Sequence, residues 1–438
     1  MRMTAGDTNE EECVGLGASL ESFKESEEIS IIIRDLKDTV HDLNKHELAV
    51  ERFRYVLDWY QEQPHLLDPH LEMLLNLMIQ NVRKETETKV LHATTQLMSH
   101  LFKVRGPKIV VKYLPHEVED LERVVGLLQD QDSNDSVNWE TRYILLLWLS
   151  IIVLIPFDMK RFDGGDKAPL ADRILSLCKR YLSARDKCRD AAARLVSAFL
   201  TRPDTKDALL PTFLDWCVKS LCDTNVSEAD LTGAMIALCA ITKHAKREDV
   251  LKYSSLLLGK LQESKIKEHK NTLLRKYGLK LVQRLGLIFL KAKVASWRYQ
   301  RGSRSLALNL NPEQEDKQSK EAVEDEEDYD VPEEVEDVIE ELLCGLRDKD
   351  TIVRWSAAKG VGRVTGRLPA ELADEVVGSL IELFTLREMD TGWHGACLAL
   401  AELGRRGLLL PVRLGEVSTE YIRWNVCAVM DYRCSLTS

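Results

Sequence analysis

Aromatic residues are scarce in this chain, at 6% of 438 residues, and no stretch alternates apolar with polar residues for long. Sheets draw on aromatic and β-branched residues in a period of two, so strands are not expected. Ten cysteines are present but no Cys-x-x-Cys pair, and Cys217 and Cys222 stand five apart. Cys178, Cys217, Cys239, Cys344 and Cys397 lie in apolar helical stretches, where a thiol packs as a small hydrophobe. That pattern fits reduced thiols and a cytosolic setting better than a disulfide framework. No apolar run reaches the roughly 20 residues a membrane span needs. The longest, Tyr143 to Phe157, is interrupted by Ser150 and ended at Pro156, and it reads as a helix buried on all sides. The N-terminus has no apolar signal core. It opens on Glu10-Glu11-Glu12 and stays rich in Ser and Glu to Ser30. Positive charge is also in deficit: 60 Lys and Arg face 71 Asp and Glu, a net charge of -11. This argues against general nucleic-acid or membrane-surface binding and leaves room for basic partners.

Hydrophobic residues make up 45% of the chain. The abundance of Leu and Ala favours helix. The most informative stretch is Leu346 through Val364. It reads as a helix end, an acidic turn and a new helix opening on Val353-Arg354 with Ala357-Ala358 behind it. Asp348 and Asp350 are expected to cap that second helix and complement its positive end. Val353, Ala357, Val361 and Val364 fall on one stripe. Ala357, Ala358 and Gly362 are small enough for a neighbouring helix to approach closely.

This pattern resembles a HEAT repeat. Comparable clusters of small residues occur at Ala191-Ala192-Ala193, Gly233-Ala234, Tyr277-Gly278, Ala357-Ala358 and Ala396-Cys397. Their separations of about 42, 44, 79 and 39 residues follow a helical-repeat period, with one double-length gap. The fold class expected is all-α, an α-solenoid of HEAT/armadillo-type helical repeats. Arg354 would then bond neighbouring Asp residues and carbonyls between repeats, and His394 would take the corresponding place in the next repeat as a structural residue.

The organisation expected is an acidic, disordered N-terminus over 1–30 and HEAT-like repeats over 31–300. A disordered acidic loop follows over 301–334, then further repeats over 335–411 and a divergent tail over 412–438. The loop runs through Glu324-Asp325-Glu326-Glu327-Asp328-Tyr329-Asp330, with few large apolar residues to offset the entropy of ordering it. A basic stretch precedes and enters it: Lys291, Lys293, Arg298, Arg301 and Arg304.

Catalytic signatures are missing. Gly360-Val361-Gly362-Arg363-Val364-Thr365-Gly366 has its third Gly one place late for a phosphate loop and no preceding strand. Asp158, Asp163 and Asp166 miss the spacing of a calcium loop. His41 and His46, like His65 and His70, are five apart and share no helix face. Neither a His-Glu-x-x-His nor a Gly-x-Ser-x-Gly occurs. No catalytic, cofactor-binding or metal residue is assigned, and no cofactor is expected. For a GTPase activator, which needs an exposed Arg on a mobile loop, Arg301 and Arg304 are the candidates.

Several segments go beyond a generic repeat: Phe53 through Pro64, Gln63-Pro64-His65-Leu66-Leu67-Asp68-Pro69, Trp139-Glu140-Thr141-Arg142-Tyr143, Ile155-Pro156-Phe157-Asp158 and Asp350 through Gly362. From about residue 30 to Pro411 the chain resembles the N-terminal part of the tubulin-folding cofactor D family, with the divergent tail after it. The resemblance implies a non-enzymatic tubulin chaperone that captures β-tubulin after the chaperonin. It implies work with cofactors C and E and an Arf-like small GTPase in assembling or dismantling the αβ dimer. GTPase activation of tubulin is implied only with partner cofactors. It further implies a cytoplasmic and cytoskeletal location, at centrosomes and cell junctions, and no nucleic-acid or membrane-spanning role. The alternatives are a generic HEAT-repeat scaffold or adaptor, or a short fragment lacking full cofactor activity.

Overall fold

The computed structural model describes residues 20–84, 87–164, 168–223, 225–292, 331–385, 388–409, 413 and 415. Every regular element among them is a helix, and the chain divides into two compact units, Met1–Phe157 and Asp158–Ser438. The sequence had given no sign of a boundary at Phe157.

The first unit holds α1 (Ser26–Arg34), α2 (Leu36–Thr39), α3 (Leu43–Trp59), α4 (Asp68–Lys84), α5 (Thr88–Arg105), α6 (Pro107–Val110), α7 (Asp120–Gln129) and α8 (Trp139–Ile152). Of the N-terminus expected to be disordered over 1–30, residues 20–30 are described, and α1 begins among them. Phe23, Ile29 and Ser30 are buried, and Ile29 and Ile33 supply α1 with an apolar stripe one turn apart. Helices α4 and α5 each bury an apolar face, Leu71, Leu74, Leu75, Met78 and Ile79 on one and Val90, Leu91, Leu97, Met98, Leu101 and Phe102 on the other. Gly106 ends α5 with φ 94°, a conformation open mainly to glycine, and Pro107 starts the next turn. Helix α8 is buried almost all round, and Trp148 Nε1 donates to the Pro115 carbonyl at 2.7 Å. The apolar run does not stay helical to Phe157, however. The helix stops at Ile152, and Leu154 and Phe157 face solvent.

The described residues of the second unit form five helix pairs in a row: α9 (Leu170–Leu182) with α10 (Cys188–Leu200), α11 (Lys206–Cys222) with α12 (Glu228–His244), α13 (Arg247–Glu263) with α14 (Thr272–Phe289), α15 (Glu334–Gly345) with α16 (Thr351–Thr365), and α17 (Ala370–Ile381) with α18 (Asp390–Arg405). The second helices of successive pairs, α10, α12, α14, α16 and α18, pack side by side. Small residues permit this. A Cβ on Gly286 of α14 would meet Val364 of α16 at 3.3 Å, and one on Gly362 of α16 would meet Glu402 of α18 at 2.6 Å. Val353, Ala357, Val361 and Val364 are all buried, as their stripe requires.

The long segment after Ala292 does not break the register. Helix α14 packs directly on α16, and Ser255 on α13 donates to Glu334 at the start of α15, 2.8 Å away. Two arginines hold the end of α14: Arg247 donates to the Ile288 and Phe289 carbonyls at 2.6 and 2.9 Å, and Arg367 to the Leu287 carbonyl at 2.5 Å. The expected loop over 301–334 lies outside the described residues except for its last four, and Glu334 already opens α15. The tail over 412–438 is described only at Arg413 and Gly415. Arg413 pairs with Asp374 at 2.7 Å, so contact with the last helix pair continues past Pro411.

Candidate partner interface

The polar groups that the repeat motif brings together serve the stack. Arg275 on α14 donates to the His269 and Lys270 carbonyls of its own turn and to Asp348 and Asp350 of the next pair. Its side chain is 4% exposed, so these bonds replace its lost hydration. Asp350 occupies the N-cap position of α16, yet its side chain does not cap the helix. It accepts instead from Arg275 and from Thr272 Oγ1 at 2.7 Å, and the ion pair with the guanidinium takes the place of the cap. Arg354 repeats the arrangement one pair on, but without a carboxylate. It donates to the Asp348 and Lys349 carbonyls, to Thr351 Oγ1, and to His394 Nδ1 at 3.1 Å. His394 is thus the structural acceptor its position suggested. Burial, and then the charge of Arg354, hold its pKa below the usual histidine value. Arg142 in the first unit likewise binds the Asp132 and Asp135 carbonyls.

The cysteines divide. Burial pushes the Cys239 thiol up to about 12 and raises those of Cys178 and Cys217 further, which keeps them protonated and inert. Cys344 departs from the expectation of a packed thiol. It is exposed, on the rim of a cleft lined by Leu261, Ile266, Leu279, Val282 and Val353. Arg301 and Arg304 lie outside the described residues, as do Lys293 and Arg298. Among the described residues no cluster of His, Cys, Asp or Glu has the makings of a metal site, and no helix is long and apolar enough to cross a membrane.

Among the described residues, α3 and α16 each carry apolar side chains on an outer face. On α3, Leu48, Tyr55 and Trp59 recur at helical spacing along one exposed stripe. Tyr55 and Trp59 meet edge to face at 4.9 Å, and Arg52 lies over Tyr55 while bonded to Glu28 at 2.6 Å. The opposite side of α3, with Val50, Phe53, Val56 and Leu57, faces the core. The helix therefore has two apolar faces and buries one. In the second unit, α16 exposes Ile352 and Trp355 at 55% and 54% on the side away from its buried stripe. Helical periodicity in the sequence marks the core face most strongly, and the outer stripes lie out of phase with it. The signal available was the second set of apolar residues out of phase with the first.

Comparison with known proteins identifies the class. Models of the tubulin-specific chaperone D-like ARM repeats match residues 57–221 and 273–427. The second match runs past Pro411 and takes in the first part of the tail expected to diverge. Tubulin-specific chaperone D of Dictyostelium discoideum is 29% identical, over 91% of this chain and 36% of its own length. Tubulin-folding cofactor D of Schizosaccharomyces pombe is 28% identical, over 89% of this chain and 36% of its own length. The chain spans about a third of the length of these curated relatives. Solved structures superpose loosely. A Kap121p mutant gives a TM-score of 0.35 at 12% identity, covering 82% of this chain and 36% of that one. An engineered protein gives 0.32 at 16%, covering 65% and 97%. Two ARM-repeat matches over most of the chain, whose described elements are all helices, lead to one assignment: the chain belongs to the tubulin-specific chaperone D family.

Proposed function

We propose that this chain is a tubulin-folding module that holds β-tubulin on the outer faces of its helical repeats. The observation that carries the reading is the family match over residues 57–221 and 273–427. The exposed stripes on α3 and α16 support it, since a folding client presents apolar surface that a rigid, partly apolar face can cover. In this reading the protein acts by binding, after the chaperonin, in assembly or disassembly of the αβ dimer. Cofactors C and E and an Arf-like small GTPase are its partners, and GTP hydrolysis by tubulin is stimulated only when they are present. Its place is the cytoplasm and cytoskeleton, with centrosomes and cell junctions as further sites.

The test is a titration of the purified, monodisperse chain with β-tubulin and with intact αβ dimer, alongside a GTPase assay with and without cofactor C. Preference for β-tubulin and no stimulation by the chain alone are expected. No binding of β-tubulin by the folded chain contradicts the proposal. Stimulation by the chain alone returns Arg301 and Arg304 to consideration as catalytic groups.

A further inference from the structure

Helices α14 and α16 carry the same charge pattern. Arg275, Lys280 and Arg284 match Arg354, Lys359 and Arg363, each set spaced Arg-x4-Lys-x3-Arg. Neither helix contains an Asp or a Glu. The first Arg of each set is taken up by the turn contacts described above. Among the described residues, Lys280, Arg284, Lys359 and Arg363 form no ion pair.

The two helices run side by side in matched register. Ser356 Oγ donates to the Lys276 carbonyl at 3.5 Å, and a Cβ on Gly360 or on Gly286 would reach Gln283 at 3.5 Å or Val364 at 3.3 Å. Lys280 is thereby level with Lys359, and Arg284 with Arg363. Arg284 Nε is buried without a partner, and burial, then the charge of Arg363, hold its guanidinium below the usual arginine value. Cation beside cation is a cost that packing does not require. Aromatic rings position the lysines: Lys276 and Lys280 lie 5.7 and 5.1 Å from the Tyr277 ring centre, and Lys359 lies 3.6 Å over Trp355. The acids on flanking helices do little to neutralise this face. Glu228 of α12 accepts from Asn271, Asp190 of the more distant α10 approaches Tyr277 together with Arg189, and Glu402 of α18 is engaged by Arg405 and Arg406.

We propose that this face is a docking site for an acidic peptide segment of a partner protein, its carboxylates on Lys280, Arg284, Lys359 and Arg363 and an apolar side chain against Trp355. The cationic stripe from Lys276 to Arg284 is about 12 Å long, which four or five extended residues cover. The interleaving of cations with Tyr277, Trp355 and Ile352 suits carboxylates separated by apolar side chains. A nucleic acid is disfavoured because the chain's net charge of -11 opposes a long polyanion that reaches beyond the patch. The proposal stands whichever protein the chain holds.

The test is fluorescence anisotropy of a short labelled peptide of alternating Glu and Leu, titrated with the full chain. Binding that weakens with salt is expected, together with a loss of roughly 30-fold in the K280Q/R284Q/K359Q/R363Q variant. The K359Q/R363Q variant, changed on α16 alone, should lose part of this. R284Q should melt no lower than the parent, because it removes an unpartnered cation. Three results each overturn the proposal: parent-like binding by a folded quadruple or double variant, equal binding of the peptide with Gln for Glu, or tighter binding of a single-stranded DNA of the same charge.

Discussion

Replacing Gly395 by Ala should destabilise the protein even though Ala is the better helix former. Gly395 lies on α18, where an added Cβ would press on the Leu346 carbonyl oxygen and stand 2.8 Å from its carbon and 2.9 Å from the Leu346 Cβ. The obstacle is backbone at the end of α15, which has no rotamer to change. Relief requires the helices to separate. The helix-propensity gain of Gly→Ala is about 1 kcal/mol. Overpacking ordinarily costs about 1–3 kcal/mol, and a backbone clash falls at the upper end. The net loss should be about 2 kcal/mol, or roughly 4–8 °C in Tm for a unit of this size. Gly259 and Gly378 are internal controls, since a Cβ at either meets nothing within 4 Å. Their Ala variants should gain up to about 1 kcal/mol. Thermal and urea unfolding followed by circular dichroism read all three. A Gly395→Ala variant as stable as Gly378→Ala would refute the close approach of α18 to α15. Gly233, which faces the Leu182 backbone at the equivalent place between α12 and α9, should behave as Gly395 does.

Arg275→Met should cost about 3 kcal/mol, because it strands the Asp348 carboxylate and two turn carbonyls. A double-mutant cycle with Asp348→Asn, read by urea unfolding, should show coupling, and additive effects would place the pair outside the ladder. Ala357→Glu should cost several kcal/mol, about 3 or more, since Ala357 is fully buried and a carboxylate there has no partner. An unchanged Tm would mean that this face of α16 is solvated. His394 has a folded pKa below its unfolded value near 6.5, so its neutral form contributes stability that is full above about 6.5 and is lost as the pH falls below it. Between about pH 7.5 and 5.5 the parent should lose more stability than His394→Asn, and equal losses would remove His394 from the acid response.

The repeats were legible because their signals are local. The stripe of Val353, Ala357, Val361 and Val364, the acidic turn before it and the spacing of small clusters all follow from helix geometry within one pair. What the sequence concealed depends on neighbours. Asp350 looks like a cap, and only the approach of Arg275 from the preceding pair redirects it. Cys344 has apolar neighbours in sequence, but they point elsewhere, and the thiol is left at a cleft rim. The order of residues 20–30 arises from packing against later helices, as with Tyr60, which bonds Glu25 and the Ser22 carbonyl. A net charge of -11 suggested basic partners, while a whole-chain sum cannot reveal that α14 and α16 are free of acids and share a face.

Hydrogen–deuterium exchange of the chain, alone and saturated with β-tubulin, tests the central claim most directly, because it reports both binding and place. The account predicts slower exchange in α3 around Leu48 to Trp59 and in α16 around Ile352 to Arg363, with little change in α8, which has almost no outer face. Exchange unchanged by β-tubulin throughout the chain, or slowed only away from these helices, would contradict it.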